Sequence, residues 1–115
     1  SPVGCAAALA ALDVIEEEGL LLRSRTLGER ALARLKEMKQ RFPSIVEVRG
    51  VGLLLAIELD DAGFAEEVLY RCLSRGLSFK VGQGNVLVLA PPLIIRKEEI
   101  DELFEIVRGV LRTTN

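Results

Sequence analysis

The sequence predicts an α+β fold, a small and mainly antiparallel sheet of three to four strands with helices packed on one face. Three observations carry this reading. Apolar residues recur at helical spacing in several long segments, short aliphatic runs come in two adjacent pairs, and glycine or proline punctuates the joints. The resulting order is α-α-β-β-α-β-β-α, in which neighbouring strands are close enough to pair as hairpins.

A first helix is expected over Val3–Glu18, because Pro2 suits a helix start where its missing N–H costs nothing, and Gly19 can end it as a left-handed cap. Its run of Ala6, Ala7, Ala8, Ala10 and Ala11 offers a surface of small side chains for close approach to something larger. A second helix spans about Leu20 to Arg41 and carries Leu27, Ala31, Leu35, Met38 and Phe42 as a core-facing stripe, with Pro43 beyond it. Strands are expected over Ile45–Arg49 and Gly52–Leu59, separated by a bend at Gly50-Val51-Gly52. In the second strand Leu53, Leu55, Ile57 and Leu59 share one face, while Leu54 and Ala56 make the other apolar, the pattern of a central strand.

Asp60 or Asp61 can cap a third helix from Ala62 to Arg75, with Phe64, Ala65, Val68, Leu69 and Cys72 on one side and Gly76 as terminator. Leu77–Val81 and Val86–Ala90 read as two strands joined by the polar turn Gly82-Gln83-Gly84-Asn85, and Pro91-Pro92 ends the pair. A last helix begins near Lys97, with Glu98 and Glu99 complementing its exposed N–H groups and Ile100, Leu103, Phe104, Val107 and Leu111 forming its apolar stripe.

The 115 residues, 50% hydrophobic and 28% charged, suit a single domain over 1–115 with one core. A net charge of −2 with interspersed signs leaves no basic stripe for nucleic acid. No apolar run approaches the ~20 residues of a membrane-spanning helix, so a cytoplasmic protein without a membrane partner is expected. Histidine is absent, which removes Ser-His and Cys-His nucleophilic chemistry, and Cys5 and Cys72 lack metal-site or redox spacing. The Glu16-Glu17-Glu18 and Glu98-Glu99 runs read as solvated helix-end charges.

Three segments carry a resemblance to a known family. Ser1-Pro2-Val3-Gly4-Cys5-Ala6-Ala7-Ala8-Leu9-Ala10-Ala11-Leu12 is similar to the "NP-x-x-C/A-AAALA" helix of class III (ornithine, acetylornithine and 4-aminobutyrate type) pyridoxal-phosphate-dependent aminotransferases. Val48-Arg49-Gly50-Val51-Gly52-Leu53 with Ala56-Ile57-Glu58-Leu59 resembles the family's "VRG-x-GL…GIEL" strand pair. Ala90-Pro91-Pro92-Leu93-Ile94-Ile95 followed by Glu98-Glu99-Ile100-Asp101 resembles its "PPL-x-I…EEID" ending.

The resemblance implies the C-terminal small domain of a fold-type I enzyme, a fragment of a larger chain that closes the substrate cleft beside a large domain holding pyridoxal 5'-phosphate. It implies a homodimer acting on a small-molecule amino donor and acceptor. The Schiff-base lysine and the acidic partner of the coenzyme belong to the large domain. No catalytic, coenzyme-binding or metal-binding residue is therefore expected here, and the fragment alone should be inactive. One position is informative. The family commonly places an arginine for the substrate carboxylate two residues before the Ala90-Pro91-Pro92 equivalent, and here that position is Val88. Val88 reads either as a substrate-facing residue unable to grip a carboxylate or as a β-strand core residue. Lys80 reads as a solvated strand-end lysine, Arg49 as part of a structural turn, and Gly82-Gln83-Gly84-Asn85 as a turn rather than a phosphate cradle. The alternatives are a racemase of the same family and, in a different class, a free-standing α+β interaction module.

Overall fold

The computed structural model describes residues 19–114. The expected helix Val3–Glu18 and Cys5 lie outside the described residues. Gly19, expected to end a helix, instead lies with Leu20 in a π-type turn that runs into helix α1 (Leu21–Arg41). Glycine permits a left-handed cap but does not require one.

Helix α1 buries Ser24, Gly28, Ala31, Leu35 and Met38 at alternating spacings of four and three. From Ala31 onward this is the expected stripe. Toward the N-terminus small residues take it over, leaving Leu27 only partly buried, because the turn between the first two strands passes against the helix there.

Strands β1 (Ile45–Val51) and β2 (Leu54–Leu59) form an antiparallel hairpin in which Val51 faces Leu54 and Val48 faces Ile57. β1 thus runs through Gly50, and the bend falls at Gly52, whose φ of 56° suits a residue without Cβ. Helix α2 (Ala62–Ser74) starts at Asp61, whose carboxylate accepts the Phe64 N–H at 2.8 Å. It ends in a Schellman motif: Gly76 has φ 89°, Gly76 N–H donates to the Leu73 carbonyl, and Leu77 N–H donates back to Cys72.

That motif shortens the next strand. Leu77, expected to open it, spends its N–H on the helix end, and strand β3 covers only Lys80–Gly82. Strand β4 (Val86–Leu89) follows after a turn in which Gln83 (φ 55°) and Gly84 (φ 84°) are both left-handed. Asn85 lengthens the pairing with β2, since its carbonyl accepts the Leu59 N–H and its side-chain amide donates to the Leu59 carbonyl. Helix α3 (Lys97–Thr114) closes the chain. Glu99 in its first turn reaches back to accept the Arg96 N–H at 3.0 Å, half of a capping box.

The sheet order is β1-β2-β4-β3 with every neighbouring pair antiparallel. This is the expected α+β architecture. Leu55, Ile57, Leu59, Leu87 and Leu89 point from the sheet into one core with Leu35 of α1, Val68 and Cys72 of α2, and Phe104, Val107 and Leu111 of α3. All three described helices contact strands or each other on that side. Among the described residues no helix is long and apolar enough to cross a membrane.

Candidate functional site

Successive strand residues point to opposite faces, so burying Leu55, Ile57 and Leu59 turns Leu54, Ala56 and Glu58 the other way. β4 does the same, with Val88 half-buried between the fully enclosed Leu87 and Leu89. The register aligns Arg49, Ala56, Val88 and Lys80 as direct cross-strand partners across all four strands. This face carries no described helix. Leu54 is 55% exposed and Val51 82% exposed at its β1–β2 end. The expectation that both faces of β2 are apolar holds, yet only one is covered by described residues.

Charge on the open face is uneven. Arg49 is neutralised by Glu58 at 3.2 Å, and at the β1 edge, where the sheet meets α1, Lys39 lies 3.6 Å from Glu47. The Glu47 carboxyl is held below the ordinary glutamate range, first by the Val48 N–H that it accepts and then by the charge of Lys39. At the other end of the row Lys80 stands exposed with no ion pair among the described residues. A shallow depression there is lined by Leu54, Ser78, Phe79, Lys80, Val88 and Ala90.

Val88 therefore sits on a strand but outside the buried core, its side chain on the open face. Arg49 is not in a turn, because β1 extends past it and pairs it with Ala56. Gln83 and Gly84 form an exposed turn, as expected. The sequence pattern alone does not join Leu54, Ser78 and Lys80 to Val88. The apolar run Val86-Leu87-Val88-Leu89 hides which residues face outward, and only the register of β3 on β4 brings Lys80 beside Val88.

Pyridoxal phosphate needs a lysine for its covalent bond and an acid for its ring nitrogen. Lys36 and Lys39 are exposed on α1, Lys97 is exposed at the start of α3, and Lys80 has no carboxylate in its depression. The described lysines do not fit that pair of contacts. No cluster of three metal-ligating side chains occurs among the described residues.

The segment after β4 is held by α1. Arg23 donates one N–H to the Leu93 carbonyl at 2.7 Å and another to the Ile95 carbonyl, fixing the Pro-rich stretch that leads from the open face into α3. Residues 1–111, which include this stretch and the whole sheet, match the family described as aminotransferase class-III.

The chain belongs to the class-III aminotransferase family. It is 48% identical over 109 residues to (R)-1-hydroxy-2-aminoethylphosphonate ammonia-lyase of Vibrio splendidus, covering 88% of this chain and 23% of that protein. It is 41% identical over 111 residues to ornithine aminotransferase 1 of Staphylococcus saprophyticus, covering 96% of this chain and 27% of that one. The crystal structure of acetylornithine aminotransferase from Elizabethkingia anophelis superposes with a TM-score of 0.86 at 33% identity, over 96% of this chain and 28% of that chain. This class-III chain thus spans about a quarter of the length of the proteins it matches. Family membership replaces the alternative of an unrelated interaction module.

Proposed function

We propose that the intact protein is a pyridoxal-phosphate-dependent aminotransferase that moves an amino group between an amino acid or amine and a keto acid. Residues 1–115 form its small C-terminal domain, which closes the substrate cleft against a large coenzyme-binding domain of the same chain. The intact enzyme is a cytoplasmic homodimer, and this domain alone is inactive. The observation that carries the reading is the open sheet face, which sits in a class-III chain and lacks any cover from the described helices. Bound coenzyme supplies an electron sink for a carbanion next to nitrogen. Leu54, Ala56 and Val88 would supply an apolar wall of the cleft that keeps water from one side of the substrate. Val88, in place of a guanidinium, leaves that wall uncharged at its centre.

A second reading is an ammonia-lyase, supported by the 48% identity to the Vibrio splendidus enzyme. A racemase of the same family is the third branch of this chemistry. One assay separates them. The intact protein, loaded with pyridoxal phosphate, is given one enantiomer of an amino acid, or an amino alkylphosphonate, with and without a keto acid. Transamination requires the keto acid and yields a new amino acid. Ammonia released without an acceptor establishes the lyase, and inversion without an acceptor establishes the racemase. Absence of all three outcomes with coenzyme bound would sink the reading.

A further inference from the structure

Among the described residues, the depression beside Val88 contains a single charge. Of its lining residues, Leu54, Phe79, Val88 and Ala90 are apolar, Ser78 is neutral, and Lys80 is exposed without an ion pair among the described residues. The other cation of the same cross-strand row, Arg49, is already neutralised by Glu58. A positive charge on a largely apolar concave surface, with no carboxylate among the described lining residues, is an anion-binding arrangement, because the counter-charge is left for a ligand to supply. Lys80 and Val88 are direct partners on strands about 4.8 Å apart, a span shorter than an extended lysine side chain. The ammonium group can therefore lean over Val88 while its stem lies on the apolar surface.

We infer that Lys80 is a specificity-determining residue, whose ammonium group holds the anionic end, carboxylate or phosphonate, of an amino substrate lying over Val88. The inference rests on the reading of the open face as one wall of a substrate cleft. A compact, rotatable ammonium suits an oxyanion of either shape, whereas a planar guanidinium would favour a carboxylate or phosphate gripped at two points.

The test compares the intact, coenzyme-loaded protein with Lys80→Gln and Lys80→Arg variants, using 3-aminopropanoate, 3-aminopropylphosphonate and propylamine as amino donors. Lys80→Gln is expected to raise KM about fivefold for whichever anionic donors are used, with kcat nearly unchanged and propylamine unaffected, and Lys80→Arg is expected to recover most of the loss. The two anionic donors distinguish a carboxylate site from a phosphonate site. An equal rise in KM for propylamine, or no change for either anionic donor, overturns the inference. Calorimetric titration with propanoate and with methylphosphonate, which needs no turnover, is run beside the kinetics. If the protein processes no amine, the functional reading fails on its own, and the titration still decides for Lys80: weaker anion binding in Lys80→Gln upholds the site, and unchanged binding overturns it.

Discussion

Gly28 of α1 and Gly52 of the β1–β2 turn meet backbone to backbone: a Cβ placed on Gly28 would lie 2.0 Å from the Gly52 carbonyl oxygen. This contact seats the hairpin against the helix and so sets the height of the open face. Gly28→Ala is expected to destabilise the protein by about 3 kcal/mol, although alanine is the better helix former, because neither backbone can yield cheaply. Gly109→Ala in α3 is the control. There a Cβ would meet only the movable end of Arg75, at 2.9 Å, so the outcome is a change near zero or a gain of about 0.5 kcal/mol. The denaturant midpoint of Gly28→Ala should fall while that of Gly109→Ala holds or rises, and equal shifts would refute the packing argument.

Glu99 connects α3 to acid stability. Its carboxyl is held below the ordinary value of 4.5, first by the Arg96 N–H that it accepts and then by the Arg96 side chain. A folded-state value below the unfolded one means that ionised Glu99 stabilises the fold above the unfolded value, and that this help is lost as pH falls through the folded value. Glu99→Gln should therefore lower the thermal midpoint at pH 7, with the difference from the native protein shrinking steadily below pH about 4.5. A difference independent of pH would assign the effect to helix propensity instead.

Legibility from sequence followed the range of the contacts involved. The stripes Ala31-Leu35-Met38 and Ile100-Phe104-Val107-Leu111 were readable because residues three and four apart share a helix face whatever lies opposite. Ser24 and Gly28 were not, since their burial depends on a turn more than twenty residues away. The late start of β3 was hidden for a related reason: Gly76 was visible as a terminator, but the Leu77 N–H returning to Cys72 is a property of the finished cap. At the site, the place of Val88 before Ala90-Pro91-Pro92 marks it in the sequence, and Lys80 is the exposed strand-end lysine that the sequence predicts; what the sequence does not show is that the two are cross-strand partners. The pairing of those two passes through Gln83, a non-glycine residue in a left-handed conformation that composition does not announce.

Cys72 is expected to be chemically quiet. It is fully buried between α2 and the sheet, and burial pushes its thiol up to about 11, with the nearby charge of Arg75 only partly opposing the shift. At pH 8 only about one thiol in a thousand would be ionised, and that fraction is shielded from reagent. In a Cys5→Ala background, labelling by a thiol reagent should be slow in buffer and fast in denaturant. Rapid stoichiometric labelling of the native protein would contradict this placement. Cys72→Ser should cost about 2 kcal/mol, because a hydroxyl there loses its water without a designed partner.

Arg34 fastens α1 to α3 in two ways. Its guanidinium donates to Asp101 at 2.8 Å and to Glu105 at 3.4 Å, and it lies over the Phe104 ring 5.1 Å from the centroid. The carboxylates are substantially exposed, so screening limits the ion pairs, and Arg34→Ala should cost about 1 kcal/mol, much of it from lost contact with Phe104. Arg34→Met keeps the stem and is expected to recover about half. If 0.5 M salt removed the whole effect of Arg34→Ala, packing would have no share in it.

Val88→Arg offers a gain-of-function test of the open face. Val88 is half-buried, with Ala56 on one side and Lys80 on the other, so a longer side chain has room to leave the sheet without entering the core. A guanidinium placed there can bind a carboxylate at two points, while a donor without an anionic group gains nothing from it. In the intact enzyme, kcat/KM for a carboxylate-bearing donor relative to propylamine should rise about tenfold, equivalent to one charge-assisted contact of about 1.4 kcal/mol. The added charge also stands beside Lys80, so the gain should be largest where the substrate anion separates the two cations and smallest for donors without an anionic group. An unchanged ratio in a variant with native circular dichroism would mean that the open face does not meet the substrate.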